Sequence, residues 1–308
     1  MKAGRLFGVT AGYLWRIALC AIAYVVGTMV GGAAVSGLGM DLPSIAEATD
    51  ERLMGLLSLV GSIVVAAALG PLARRLKGTY LVRVAILAVF TYVCLGVNTL
   101  IESSIFTTAG GTGGMIVLLI APCVLCAVVA ALVFKPAQTG QSFLVEAAGF
   151  LGRRSRAAWA WRLLAALAAF PVIYLIFGMA ISPLVAEHYR EQIGGLVLPD
   201  MEVIVGVQFV RSSLFLLAAL GVLIMWSGSR RGLVLTLGFA FFVMVGLYGL
   251  IQGYWLSPLL RIVHSVEILA DSFVYAWALV VLLVKPPVLT GGTEAVISSV
   301  APGRPELA

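Results

Sequence analysis

Apolar residues along the chain fall into eight long blocks, near Leu14–Ser36, Leu53–Ala73, Leu81–Ile101, Met115–Phe134, Arg162–Ser182, Val203–Trp226, Leu233–Leu250 and Ser265–Val284, and short segments between them gather most of the charge. A helix needs about 20 mainly apolar residues to cross the roughly 30 Å hydrocarbon layer of a bilayer. Lipid offers no partner to an open N–H or C=O, so each block must be helical. The period-two alternation of a membrane β-barrel is absent. The pattern predicts an all-α, polytopic membrane protein with eight transmembrane helices. The first block is longer than the 7–15 residues of a signal-peptide core and is read as a retained helix.

The blocks also repeat. Trp15-Arg16-Ile17-Ala18-Leu19 opens the first and Trp161-Arg162-Leu163-Leu164-Ala165 the fifth. Asp41-Leu42-Pro43 precedes the second block and Val197-Leu198-Pro199 the sixth; Arg74-Arg75 follows the second and Arg230-Arg231 the sixth. Gly96–Ile101 resembles Gly246–Ile251, and Val133-Phe134-Lys135-Pro136 resembles Leu283-Val284-Lys285-Pro286, both at an offset of 150. Matches in one order predict two four-helix repeats (4+4), at 1–136 and 161–287. An even number of spans per repeat puts both copies the same way up, related by a pseudo-twofold axis along the membrane normal. Between them, 137–160 is basic and aromatic, and reads either as an interfacial helix on the inner leaflet or as a solvated linker. The Gly/Thr/Ser/Pro-rich tail, 288–308, reads as disordered.

Composition narrows the class further. Of 308 residues, 61% are hydrophobic and only 11% charged, with a mean hydropathy of +1.09. A soluble domain carries about 25% charged residues, so this chain lacks the polar surface to cover a water-soluble globule. A cytosolic enzyme, a disordered chain and a disulfide-rich secreted domain are excluded on this ground. With the N-terminus cytoplasmic, 16 of the 20 Lys and Arg residues fall on the inner side, including Arg74, Arg75, Lys77, Lys135, Arg153, Arg154 and Arg156. The positive-inside rule therefore predicts a multi-pass plasma-membrane protein with both termini cytoplasmic. The net charge of +6 reflects this bias and attraction to membrane lipids, not a nucleic-acid partner.

Ionisable groups inside a span are costly and point to function. Arg211, with Gln208 one turn earlier, lies roughly 13 Å in from the outer end of the sixth block. In the eighth, Arg261, His264, Glu267 and Asp271 follow at steps of three, three and four, which keeps them on one helical arc. Asn98 and Glu102 sit four apart at the outer end of the third. The first-repeat equivalents of the eighth-block stripe are Gly111, Gly114, Val117 and Ala121, so one copy alone carries the charge. These residues predict an outward-opening polar cavity between the repeats, lined by Asn98, Glu102, Gln208, Arg211, His264, Glu267 and Asp271. Arg211 is expected to pair with Asp271 or Glu267, because an unpaired charge at that depth is untenable. Equally open is a purely structural Arg211–Asp271 strut, with Arg261, His264 and Glu267 among lipid headgroups.

Other motifs add less. His188-Tyr-Arg-Glu191 and His264-Ser-Val-Glu267 have a spacing seen in carboxylate-bridged metal sites, but two histidines are too few, and no metal is predicted. Cys123-Val-Leu-Cys126 lacks an exposed second pair and reads as packing. Gly27 and Gly31 form a G-x-x-x-G suited to close helix contact. Gly110–Gly114 lacks the Lys-Ser/Thr of a phosphate loop. The sequence names no cofactor. It is read as a carrier or permease-like protein for a small solute or ion. The alternatives are a membrane-embedded enzyme acting on a lipid or quinone, or a non-catalytic subunit of a larger membrane complex; oligomeric state stays open.

Overall fold

Capping side chains set where the helices begin. The carboxylate of Asp50 accepts the N–H groups of Arg52 and Leu53. Thr79, Ser155, Ser229 and Ser257 accept from Val82, Ala158, Gly232 and Leu260. Each satisfies donors that the first helical turn leaves open. Gly78, at φ +99°, reverses the chain between the second and third helices, a conformation that costs a side-chain-bearing residue energy.

The computed structural model describes residues 2–42 and 50–285. It is all-helical, with no strand among the described residues. Eight helices are long and apolar enough to span a membrane. They are Lys2–Gly37, Glu51–Arg75, Tyr80–Phe106, Gly113–Val133, Arg156–Arg190, Met201–Met225, Arg230–Gln252 and Pro258–Leu283, the first to eighth spans below. Large apolar side chains such as Ile22, Met29, Leu81, Leu164, Met179, Leu217 and Ile262 stand exposed around the bundle. Such a surface suits lipid and not water. The chain is a multi-pass membrane protein.

Several helices run further than the hydrophobic pattern indicates, and two of these extensions bear on the cavity described below. The eighth begins at Pro258, seven residues before Ser265, so Arg261 and His264 stand inside a helix. The fifth continues past Ser182 to Arg190, through Pro171 and Pro183, and takes His188 and Tyr189 with it. Within the 137–160 segment, Phe143–Leu151 forms a short helix and residues from Arg156 onward already belong to the fifth span. Lys77 donates to Glu146 at 2.8 Å and fastens this helix to the second–third turn. That hydrogen bond holds the Glu146 carboxyl below its ordinary range. The 288–308 tail lies outside the described residues.

The first and fourth spans pack backbone to backbone. A Cβ on Gly27 would fall on Pro122, and one on Gly31 on the carbonyl of Leu118. Where the second and sixth spans end, Leu76 and Trp226 form an isolated antiparallel bridge. Lys77 N–H donates to Met225 O at 2.8 Å, and Ser227 N–H donates to Arg75 O at 2.9 Å. Residues in the two bonds exchange places under a shift of 150. The same shift relates Glu51–Arg75 to Met201–Met225, and the π-helical stretch Tyr92–Val97 to Phe242–Leu247.

Toward their other ends, the third and seventh spans reach across between the halves. Asn98 of the third donates to Val245 O of the seventh at 3.1 Å, inside a π-helical stretch. Tyr248 of the seventh meets the ring of Tyr24 at 5.8 Å, and Gln252 accepts from Ser58 Oγ at 3.3 Å. The chain's first and last helical ends gather at one end of the bundle: Arg16 lies over the Phe134 ring, and Arg154 donates to Leu283 O. The loops around Thr108 and Gly195, joined by Thr108 N–H to Gly195 O, form the opposite end.

Candidate functional site

A cavity of about 270 Å³ runs from that opposite end into the bundle. Its mouth is lined by Thr107, Leu196, Gly253 and Trp255, and its floor by Phe215, Phe241, Asp271 and Tyr275. Walls come from the four spans of the second half together with the third span. The cavity thus lies within the second half, closed on one side by a helix of the first, and is not centred on the seam between halves.

Arg211 is ten residues from the start of the sixth span, about 15 Å along the helix, and only 3% exposed. Its guanidinium donates to Glu102 at 2.8 Å and to the side-chain carbonyl of Gln208 at 3.1 Å. Three rings surround it, with centroids 5.4 Å (Phe170), 5.8 Å (Tyr174) and 5.6 Å (Phe215) away. Cation–π attraction and a charged hydrogen bond together compensate the loss of water. The expected partners, Asp271 and Glu267, are not its ion pair. The pair runs instead to Glu102, because the third span crosses the seam and presents Glu102 to the sixth.

Glu267 is engaged elsewhere. His264 Nδ1 lies 2.6 Å from Glu267 Oε2, and His264 Nε2 lies 3.2 Å from the Tyr189 hydroxyl. A neutral imidazole protonated on Nδ1 donates to Glu267 and accepts from Tyr189; a protonated one donates to both. Asp271, 5% exposed, also lines the cavity, and its Oδ1 has no hydrogen-bond partner.

Of the seven residues expected to line a cavity, Glu102, Arg211, His264, Glu267 and Asp271 do so. Asn98 and Gln208 stand behind the wall: Asn98 ties the third span to the seventh, and Gln208 orients Arg211. The second His-x-x-Glu pair does not assemble, since His188 Nε2 meets Ser257 Oγ at 3.0 Å. Among the described residues, no three His, Cys, Asp or Glu side chains are grouped as metal ligands. All four cysteines are free and buried. Tyr189, Phe170, Tyr174 and Phe215 were not singled out from the sequence. The aromatics look like ordinary core, and Tyr189 reaches the site only through the extension of the fifth span. The Ser257-Pro258 pair was the missed signal for the early start of the eighth span: a capping hydroxyl followed by proline at the first helical position.

The first half holds an uncharged counterpart. A shift of 150 takes Arg211 to Gly61, Gln208 to Ser58, and Glu102 to Gln252. These three also meet: Ser58 bonds to Gln252, and a Cβ on Gly61 would lie 3.1 Å from Gln252 Nε2. Positions related by this shift thus meet in both places, with charged groups in one and none in the other.

No protein-family model matches the chain, and neither the curated proteins nor the solved structures contain a match.

Proposed function

We propose that the protein is a carrier or permease-like protein that moves a small solute or ion through the charged cavity of its second half. Its halves, 1–136 and 161–287, are parallel copies about a pseudo-twofold axis along the membrane normal, and the basic end with both termini faces the cytoplasm. The cavity then opens outward. One observation carries the reading: a buried cavity, open at one end, holds one guanidinium and three carboxyl groups where apolar packing would be cheaper. Groups this costly inside a membrane persist where they handle a polar cargo. Glu102 reaches that cavity from the other half, so sliding one half against the other would change the site and its access together.

Reconstitution tests this. Radiolabelled methylammonium, sodium and acetate are offered to proteoliposomes holding the wild type or Asp271→Asn. Flux of one of them above protein-free vesicles, lost in Asp271→Asn, is the expected result. Absence of flux for all three overturns the reading as it concerns small monovalent ions.

The His264–Glu267–Tyr189 chain beside Arg211 favours a second reading, a membrane-embedded enzyme on a lipid or quinone. There the imidazole would exchange a proton and the guanidinium would hold an anionic headgroup. That reading requires product from detergent-solubilised protein without any gradient.

A further inference from the structure

The charges of the cavity do not balance. Arg211 is ion-paired with Glu102 at 2.8 Å, and His264 lies 2.6 Å from Glu267. Asp271 has no such partner: it forms no ion pair among the described residues, is only 5% exposed, and lines the floor of the cavity with its Oδ1 sealed in the wall and unbonded. A carboxylate in that position carries a cost of burial that no ion pair offsets. The lack is specific, since an ionised carboxyl group only accepts hydrogen bonds and the part of it that faces the cavity calls for a donor.

The surroundings define the rest of the ligand. Beside Asp271, one turn further along the eighth span, Tyr275 packs against Phe241 at 5.5 Å and against Phe170 at 5.1 Å between centroids. Phe215 and Phe241 continue the cluster at 5.9 Å. Ring faces attract cations and accept apolar groups. Arg211 already shows this chemistry within the same cavity, seated among Phe170, Tyr174 and Phe215. An anionic ligand would find its natural partner, Arg211, already engaged by Glu102 and would meet two further carboxyl groups.

We infer that the cavity is a binding site for a small organic ammonium ion bearing at least one N–H, which donates to Asp271 while its apolar part lies on Phe241 and Tyr275. This deepens the carrier reading and rests on it for the direction of movement, but binding itself can be measured without transport.

Binding of methylammonium, tetramethylammonium and acetate is measured on the detergent-purified full chain by ligand-induced thermal stabilisation at pH 8. Methylammonium is expected to stabilise the wild type saturably, with tetramethylammonium weaker for want of an N–H donor and acetate without effect. Asp271→Asn is expected to weaken methylammonium binding by ~10-fold or more, as removal of a buried charge partner does, and Asp271→Glu to restore part of it. The melting temperature of each variant without ligand separates loss of binding from loss of fold. Equal methylammonium binding by wild type and Asp271→Asn, or stabilisation by acetate instead, overturns the inference. Tetramethylammonium binding as tightly as methylammonium overturns the N–H requirement. Methylammonium binding with no flux of methylammonium, sodium or acetate in proteoliposomes overturns the carrier reading for small monovalent ions and leaves this site standing.

Discussion

Arg211 illustrates why a buried charge is evidence about its neighbours. Left alone at mid-span it would be expelled toward water; held by Glu102, Gln208 and three rings, it stays. Breaking one partner of such a pair is expected to cost more than removing both, because the survivor is stranded. Glu102→Ala should therefore lower the stability of the purified protein, by less than the about 3–5 kcal/mol of a fully buried pair because the Glu102 side chain is 39% exposed. Arg211→Met combined with Glu102→Met should recover much of that loss, read as the midpoint of thermal unfolding in detergent. A double variant no more stable than Glu102→Ala would show that the pair does not hold the fold. The sequence makes the residues of this site legible but not its pairing. Helical spacing fixes which side chains share an arc, as with His264, Glu267 and Asp271. Which helix faces that arc depends on how spans rotate and cross. Only the crossing of the third span explains why Arg211 meets Glu102 and leaves Asp271 alone.

Single helices show the same division between what local chemistry sets and what packing adds. Hydrophobic blocks mark all eight spans, because the bilayer demands both apolar length and closed backbone hydrogen bonds. Their ends are set by caps, which hydropathy does not register, and so Ser257 and Ser155 lengthen the eighth and fifth spans beyond their apolar cores. Close packing does leave a mark in sequence. The first and fourth spans touch through Gly27 and Gly31, whereas the matching positions of the fifth span, by the Trp15–Trp161 correspondence, are Ile173 and Phe177. Small residues allow helices to close, and large ones hold them apart. This contrast matches the close contact of the first and fourth spans beside a second half that holds the charged cavity. Gly31 and Gly32 make a direct test of the contact. At Gly32 nothing lies within 4 Å of an added Cβ, whereas at Gly31 the added Cβ strikes the Leu118 backbone. Gly32→Ala is expected to leave the unfolding temperature unchanged or raise it slightly, since alanine favours helix by up to ~1 kcal/mol. Gly31→Ala is expected to lower stability by ~1–3 kcal/mol, the usual cost of overpacking. Similar effects of the two substitutions would show that the first–fourth contact does not constrain position 31.

At the scale of the whole molecule, the proposed duplication makes the first half a record of what the charged site needs. Asn98 and Glu102 project from the third span toward the second half; Tyr248 and Gln252, their counterparts at a shift of 150, project from the seventh span toward the first. On that correspondence, the charged triangle should be transferable. Gly61→Arg alone places an unpaired guanidinium in an apolar bundle, against Tyr248 and Gln252, and is expected to abolish folding or lower the unfolding temperature sharply. Adding Gln252→Glu supplies the carboxylate that Glu102 gives Arg211, and Tyr248→Asn opens the space that Asn98 leaves in the second half. The triple variant is expected to regain most of the lost stability, because paired opposite charges offset much of each other's burial. Gln252→Glu by itself should destabilise, since it buries a carboxyl group without a partner. Rescue in the triple but in neither single variant requires that position 61 face position 252 as Arg211 faces Glu102, a relation that two unrelated four-helix halves have no reason to share. If the triple variant is no more stable than Gly61→Arg, the equivalence of the two triangles is lost, and with it the argument that one ancestral four-span unit furnished both.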